Sequence, residues 1–197
     1  MVRLTTIVPA VHAWPTNGHL IADVARIYEF GRTLDATYGR GRFWTQYRPD
    51  DLTTNDLSSD ADHHFDFRQL PWPAGEFDTV VFDPPYKLNG TPVLGDFDAR
   101  YGLSVPRRWQ DRMEMILAGA VECGRVASRL LLVKVQDQVV SGRVVWQTLA
   151  VVDALEPHGW SLTDRFDLLG GSRPQPMKGR RQRHAHGRPS SLLVFQR

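Results

Sequence analysis

The sequence predicts an α/β fold on a mostly parallel sheet with an antiparallel last strand. Three observations carry that expectation. Short apolar runs of strand length alternate with helical periodicity through most of the 197 residues, as βαβ units do. Residues 130–135 are apolar except for Lys134, which suits a strand covered on both faces. The last two apolar runs, 162–169 and 190–196, have no helical pattern between them, so they are expected to pair antiparallel at the end of the sheet.

Taken in order, Leu20, Ile21, Val24, Ala25, Ile27 and Tyr28 give a helix over about 19–30, stopped by Gly31. Thr33-Leu34-Asp35-Ala36 reads as a strand ending in the glycine turn Gly39-Arg40-Gly41. Further strands are expected near 51–55, 63–67 and 77–82. Residues 87–106 hold Gly90, Pro92, Gly95, Gly102 and Pro106, the content of a long loop, and such loops are often lids or binding loops. Helical spacing resumes over 107–126 through Trp109, Met113, Ile116, Leu117, Ala120 and Val121. The fifth strand follows at 130–135, and another helix fits 143–157. No repeat and no second domain is visible, so residues 1–197 are expected to form one domain.

Composition is that of a globular protein, 42% hydrophobic and 23% charged. The one cysteine, Cys123, excludes an internal disulfide and a cysteine-rich zinc site. No run of about 18 apolar residues exists to span a membrane. No apolar core follows a basic N-terminus, so no secretory signal is expected and the location is expected to be cytoplasmic. The net charge of +2 is unevenly spread. Residues 1–100 hold 9 basic and 14 acidic side chains, and residues 101–197 hold 15 and 8. That asymmetry points to a polyanionic partner. Of the 24 basic residues 21 are Arg, a bias that a GC-rich coding sequence also produces.

The most informative segment is Phe77-Asp78-Thr79-Val80-Val81-Phe82-Asp83-Pro84-Pro85-Tyr86. Two consecutive prolines cannot continue a central strand, because each lacks a ladder donor and fixes φ. The strand therefore stops at Phe82, and Asp83 and Tyr86 are held on a stiff turn at its C-terminal end. Ligands bind at that edge of open α/β sheets.

Asp83-Pro84-Pro85-Tyr86 resembles motif IV of the S-adenosylmethionine-dependent methyltransferases that modify exocyclic amino groups of nucleobases. The resemblance implies a Rossmann-like class I methyltransferase fold and S-adenosylmethionine as cofactor. It also implies that Asp83 and the Pro84 carbonyl accept from the two amino hydrogens of the target base. Pro85 would keep that carbonyl rigid. Tyr86 would stack on a base that has left the duplex. Leu34-Asp35-Ala36-Thr37-Tyr38-Gly39-Arg40-Gly41 resembles motif I of the family, with Ala36-Thr37 where Pro-Phe is common. Asp35, Thr37, Gly39 and Gly41 are then cofactor-binding positions. Asp56 would take the ribose hydroxyls, with Asn55 and Asp51 as rival candidates. Asp66 would receive the adenine amino group, with Phe67 packing nearby. Trp14-Pro15-Thr16-Asn17-Gly18-His19 is similar to motif X, with Gly18-His19 in place of Lys-Pro. There Asn17 or Thr16 would cap a helix whose N-terminus faces the cofactor carboxylate.

Ser172–Arg188 carries six Arg and Lys side chains and no acid, a composition suited to a phosphate backbone. Lys178, Arg180, Arg181 and Arg183 are the candidate nucleic-acid contacts, and Arg107, Arg108 and Trp109 could also touch the strand. No metal-ligand spacing is present, and His63-His64 reads as part of a strand edge. About 100 residues are needed for a separate target-recognition domain, and none remain. Recognition is then loop-borne or supplied by a partner subunit. The expected activity is DNA adenine N6 methylation. An RNA base methyltransferase (guanine N2 or adenine N6) and a non-catalytic nucleic-acid-binding subunit are the alternatives. The glycine turn lacks the third glycine of a dinucleotide fingerprint, so a nicotinamide enzyme fits poorly.

Overall fold

The computed structural model describes residues 7–57, 60–88, 108–170, 184–185 and 189–197. Its strands are β1 (Val11–His12), β2 (Thr33–Asp35), β3 (Leu52–Thr54), β4 (Phe77–Phe82), β5 (Ala127–Val135), β6 (Gln138–Val140), β7 (Arg143–Val145), β8 (Ser161–Leu168) and β9 (Ser190–Gln196). Its α-helices are α1 (Asn17–Ile27), α2 (Trp109–Val126) and α3 (Gln147–Leu155). Seven strands form one sheet in the order β1-β8-β9-β5-β4-β2-β3. Only β9 runs antiparallel to its neighbours; all other pairings in that sheet are parallel.

Period-2 alternation sorts the central strands onto two cores. Val80, Phe82, Leu131, Val133, Leu193 and Phe195 pack against Ile116, Ala120 and Cys123 of α2 and Val151 of α3. Val81, Leu130, Leu132 and Val194 pack on the other face against Leu20, Ile21 and Val24 of α1, with Phe30 and Trp44. Residues Ala127 to Val135 are almost all buried, which is why that run reads as apolar without alternation. α2 lies so close to the sheet that a Cβ on Gly119 would stand 2.5 Å from Phe67 and 2.6 Å from Phe82.

Several boundaries differ from expectation. α1 ends at Ile27, and Thr16 caps it by accepting from the His19 N–H at 3.4 Å. Gly31 lies past the helix and turns the chain into β2, beside an Asp78 carboxylate that accepts from Arg32 N at 2.8 Å. The third strand, expected near 63–67, is one parallel bridge, Asn55 to His63. Side chains have taken the donors a ladder needs. Asp62 accepts from Thr54 N at 3.0 Å, and Asn55 Oδ1 accepts from Phe65 N at 2.8 Å. The helix expected over 143–157 starts only at Gln147, because residues 138–145 form a β-hairpin. Ser141 (φ 49°) and Gly142 (φ 78°) close it, and positive φ at both central residues is the type I′ geometry that matches strand twist. Residues 89–107 and 171–183 lie outside the described residues. They include Arg107, Lys178, Arg180, Arg181 and Arg183.

Candidate active site

β2 and β4 are neighbours, yet the chain leaves β2 for β3 on one side and β4 for β5 on the other. Their carboxyl ends therefore flank a topological switch point, where open α/β sheets form a ligand crevice. Asp35 ends β2 and Asp83 directly follows β4.

Asp35 is 3% exposed. Its Oδ1 accepts from Thr37 N at 3.0 Å and its Oδ2 from the Trp44 indole N–H at 2.7 Å. Burial nevertheless pushes its pKa up to about 7, against the pull of those two bonds and with the push of Asp83 and Asp56. Thr37 then reaches the other strand: its Oγ1 accepts from the Asp83 backbone N–H at 2.7 Å. The threonine that stands where Pro-Phe is common thus ties the glycine turn to the Asp-Pro-Pro-Tyr turn.

Gly39 (φ 56°) and Gly41 (φ 64°) both adopt left-handed backbone. Among the described residues only the Thr37 carbonyl comes near the position of a Cβ on Gly39, at 3.9 Å. Gly41 is different. A Cβ there would meet the Tyr38 hydroxyl at 2.6 Å, so Gly41 serves a close internal contact and starts the short 3-10 helix Arg42–Trp44. Asp56 Oδ2 accepts from Gly39 N at 3.0 Å, fastening the turn to the end of β3. Asn55 is wholly buried and bonds the carbonyls of Ala36 and Phe65. The rival Asp51 is exposed and 4.0 Å from Arg32. Asn17 is the first residue of α1, and its Oδ1 is buried without a partner. Gly18 beside it packs on the Thr45 hydroxyl, so the N-terminus of α1 abuts the segment that follows the glycine turn.

Two expected cofactor residues are otherwise engaged. Asp66 is held by Arg68, whose Nε and Nη2 reach its oxygens at 3.0 and 2.5 Å, and this bonding holds the Asp66 carboxyl below its ordinary range. Phe67 is 1% exposed and packs edge-on to Phe82 at 5.1 Å between ring centroids, inside the α2-side core. Its side chain faces the interior, because Phe82 and Gly119 leave that pocket open to it.

The Asp-Pro-Pro-Tyr turn is pinned from several sides. Tyr86 N donates to the Pro84 carbonyl at 2.7 Å. The Tyr86 carbonyl accepts from Gln138 Nε2 at 2.7 Å and Gln147 Nε2 at 2.5 Å. Burial, with the Asp83 charge adding to it, raises the Tyr86 phenol to about 12. Asp83 Oδ1 is sealed from solvent and has no hydrogen-bond partner. Burial raises its carboxyl to about 6, against the pull of Lys134. Lys134 on β5 is fully buried, and its Nζ has no hydrogen-bond partner. Burial lowers it to about 8, against the attraction of Asp83 and Asp167.

Sequence reasoning missed Trp44, Gln138 and Gln147, whose types carry no motif. Lys134 lies within β5, as the strand expected at 130–135 implies. Asp137 caps α3 by accepting from Thr148 N at 3.0 Å and the Thr148 hydroxyl at 3.2 Å. Among the described residues no group of three or more His, Cys, Asp and Glu is placed to hold a metal ion. No described helix is long and apolar enough to cross a membrane.

No protein-family model matches the chain, and no curated protein does. Solved structures do match. The N-methyltransferase NodS from Bradyrhizobium japonicum WM9 is 12% identical, with 91% of this chain and 93% of NodS covered and a TM-score of 0.55. The magnesium protoporphyrin IX methyltransferase ChlM from Synechocystis PCC 6803, solved with bound SAH, is 13% identical over 92% of this chain and 81% of its own, at a TM-score of 0.51. The [4+2]-cyclase SpnF is 15% identical over 91% and 80%, at 0.52. The chain thus has the Rossmann-like class I methyltransferase fold. Since a cyclase shares it, the fold leaves the reaction to be argued from the site.

Proposed function

We propose that this chain transfers a methyl group from S-adenosylmethionine to an exocyclic amino group of a nucleobase in DNA, adenine N6 foremost. The observation that carries this reading is Asp83 Oδ1: an acceptor sealed from water, without a donor, on a stiff turn at the switch point. A buried acceptor left unpaired costs about 1–3 kcal/mol, so the site is arranged for a ligand that brings an N–H.

The residues fit the cofactor on their own chemistry. Gly39 offers backbone that the described residues leave uncrowded. Asp35 supplies a buried carboxylate for an ammonium, and Asp56, just past β3, an acceptor for the ribose hydroxyls. Asn17 Oδ1 is an unpartnered acceptor at the N-terminus of α1. Asp66 can serve the adenine amino group once Arg68 releases it. S-adenosylmethionine supplies a methyl group on a sulfonium, activated for displacement by nitrogen.

The chain's own part is positioning and electrostatics. A base amino nitrogen is a poor nucleophile because its lone pair is delocalised into the ring. Two acceptors aimed at its hydrogens favour the pyramidal form in which that pair is free. Asp83 Oδ1 is one. The Pro84 carbonyl already takes Tyr86 N and keeps a second lone pair for the other hydrogen. Raised to about 6, Asp83 is basic enough to take the proton that the amino group sheds. Tyr86, half-buried beside it, is the stacking surface for the base.

The polyanion would be held by Lys178, Arg180, Arg181 and Arg183. They lie between β8 and β9, whose ends Leu168 and Ser190 face each other at the edge that carries Asp83. His184, next in the chain, hydrogen-bonds the Gly142 carbonyl at 3.0 Å.

The test is to express the chain and its Asp83→Ala variant in a methylation-free bacterial host. DNA and RNA are digested to nucleosides and methylated bases quantified by mass spectrometry. N6-methyladenine in DNA, absent with the variant, is the expected result. Methylation confined to RNA would move the target to an RNA base. No new base in either pool, with S-adenosylmethionine bound in calorimetry, would leave a missing partner subunit or another amine substrate. No cofactor binding would make the chain a non-catalytic subunit.

A further inference from the structure

Among the described residues Lys134 is the one buried cation of the site, and the amino-methyltransferase resemblance gives it no role. It lies on β5 in the alternation of Leu130 and Leu132, which pack on the α1 side of the sheet. Its chain neighbour Val133 pairs with Phe82, the last residue before Asp83. The lysine therefore stands one strand away from Asp83, near the C-terminal edge. Among the described residues, four buried side-chain polar atoms lack a partner, and Lys134 Nζ and Asp83 Oδ1 are two of them. An ammonium costs several kcal/mol to remove from water, and apolar packing alone would be met better by Met or Leu.

The other charges nearby are already matched. Asp167 on β8 accepts from Arg165 Nε at 2.8 Å and from the Ser191 hydroxyl at 2.6 Å. Asp35 at the end of β2 is held by Trp44 and Thr37. β9 brings the Ser191 hydroxyl. Asp23 on α1 is bound by Trp14 and Arg26. Tyr86, after β4, stays a neutral phenol. Among the described residues, Lys134 is the cation that acts on Asp83.

We infer that Lys134 is a positioning residue: its buried ammonium keeps Asp83 a carboxylate, so that Oδ1 can accept from the amino group to be methylated. This rests on the reading of Asp83 as that acceptor. Asp83 and Lys134 then act as a unit of opposite charges, with the aspartate touching substrate and the lysine acting through it.

The test follows the Asp83 carboxyl by carbon NMR across pH, the resonance being assigned with Asp83→Asn. Wild type is compared with Lys134→Met and Lys134→Arg, alongside methyl-transfer rates from pH 5 to 9. An opposite charge within about 4–6 Å moves a carboxyl by about one to three pH units. In Lys134→Met the Asp83 midpoint should rise by at least about one unit. The acid limb of the rate profile should rise with it, while the calorimetric Kd for S-adenosylmethionine stays within about twofold. Lys134→Arg should keep both near wild type. An Asp83 midpoint unchanged in Lys134→Met, or a rate lowered equally at every pH, would overturn the inference. If wild type methylates no nucleobase, the NMR arm still reads the effect of Lys134 on Asp83, so the two failures are separable.

Discussion

A carboxylate oxygen sealed from water without a donor, as Asp83 Oδ1 is, has high free energy until something donates to it. Asp83→Asn replaces the charge with an amide of the same shape, and one of its two ends is then a donor. Loss of one preorganised electrostatic contact costs on the order of 10²–10³ in rate. Asp83→Asn should therefore slow transfer by that factor with the cofactor Kd nearly unchanged, read by single-turnover kinetics and calorimetry. Asp35 gives a second prediction. Its folded pKa is raised to about 7 from 3.8, so between those values the native state binds a proton that the unfolded chain has released. Stability from this group is complete below the unfolded value and is lost as pH rises to about 7. The wild-type unfolding free energy minus that of Asp35→Asn, measured by urea titration, should fall from pH 4 to pH 7 and then level off. A flat difference would mean that Asp35 is not protonated in the native state.

Elements meet at this site through side chains that no periodicity announces. Thr37 joins the turn after β2 to the turn after β4. Thr37→Val keeps the shape and strands the Asp83 N–H, which should cost about 1–3 kcal/mol and slow transfer more than it weakens cofactor binding. Urea unfolding and the kcat against Kd comparison separate the two effects. The β6–β7 hairpin supplies Gln138, and α3 begins with Gln147; both donate to the Tyr86 carbonyl. Here the sequence was legible only in part. Apolar spacing gave α2, β4, β5 and the final antiparallel pair within a few residues. The helical spacing expected over 143–157 takes in β7, because Val144 and Val145 fit either period over so short a run. What chose the strand was the turn, with Ser141 at φ 49° and Gly142 at φ 78°. Ser141→Asn, a residue that tolerates this conformation better, should stabilise the protein by roughly 0.5–1 kcal/mol. Thermal unfolding would register it, and a loss of stability would contradict the turn assignment.

At the scale of the molecule, the sheet order sets what can face what. β9 enters antiparallel between β5 and β8. The ends flanking residues 169–189 therefore lie at the same edge as Asp35, Asp83 and Lys134. A basic segment rooted there would lay a phosphate backbone across the rim. Each phosphate neutralised contributes about −0.9 to the log–log salt slope on duplex DNA, or about −0.7 on a single strand. Replacing Arg180, Arg181 and Arg183 together with Ala should reduce the slope by about 2–3 and leave S-adenosylmethionine affinity untouched. Fluorescence anisotropy at several salt concentrations measures it, and an unchanged slope would remove this segment from the interface.

The sequence by itself determined the class of fold and the place of the turn. Apolar periodicity is a local property, and two prolines after an apolar strand can only end it. It also put Asp35, Gly39, Asp56 and Asp83 at or near strand ends, by their place at or after strand-like runs. Only the tertiary structure decided which of them have free chemistry. Phe67 went to the core, Asp66 to Arg68, and Gly41 to the Tyr38 ring. It also decided that Lys134 lies buried one strand from Asp83. The reason is that burial and pairing depend on residues brought together from distant parts of the chain. Strand order makes Thr37 and Asp83, 46 residues apart, hydrogen-bond neighbours, and no local pattern encodes that adjacency.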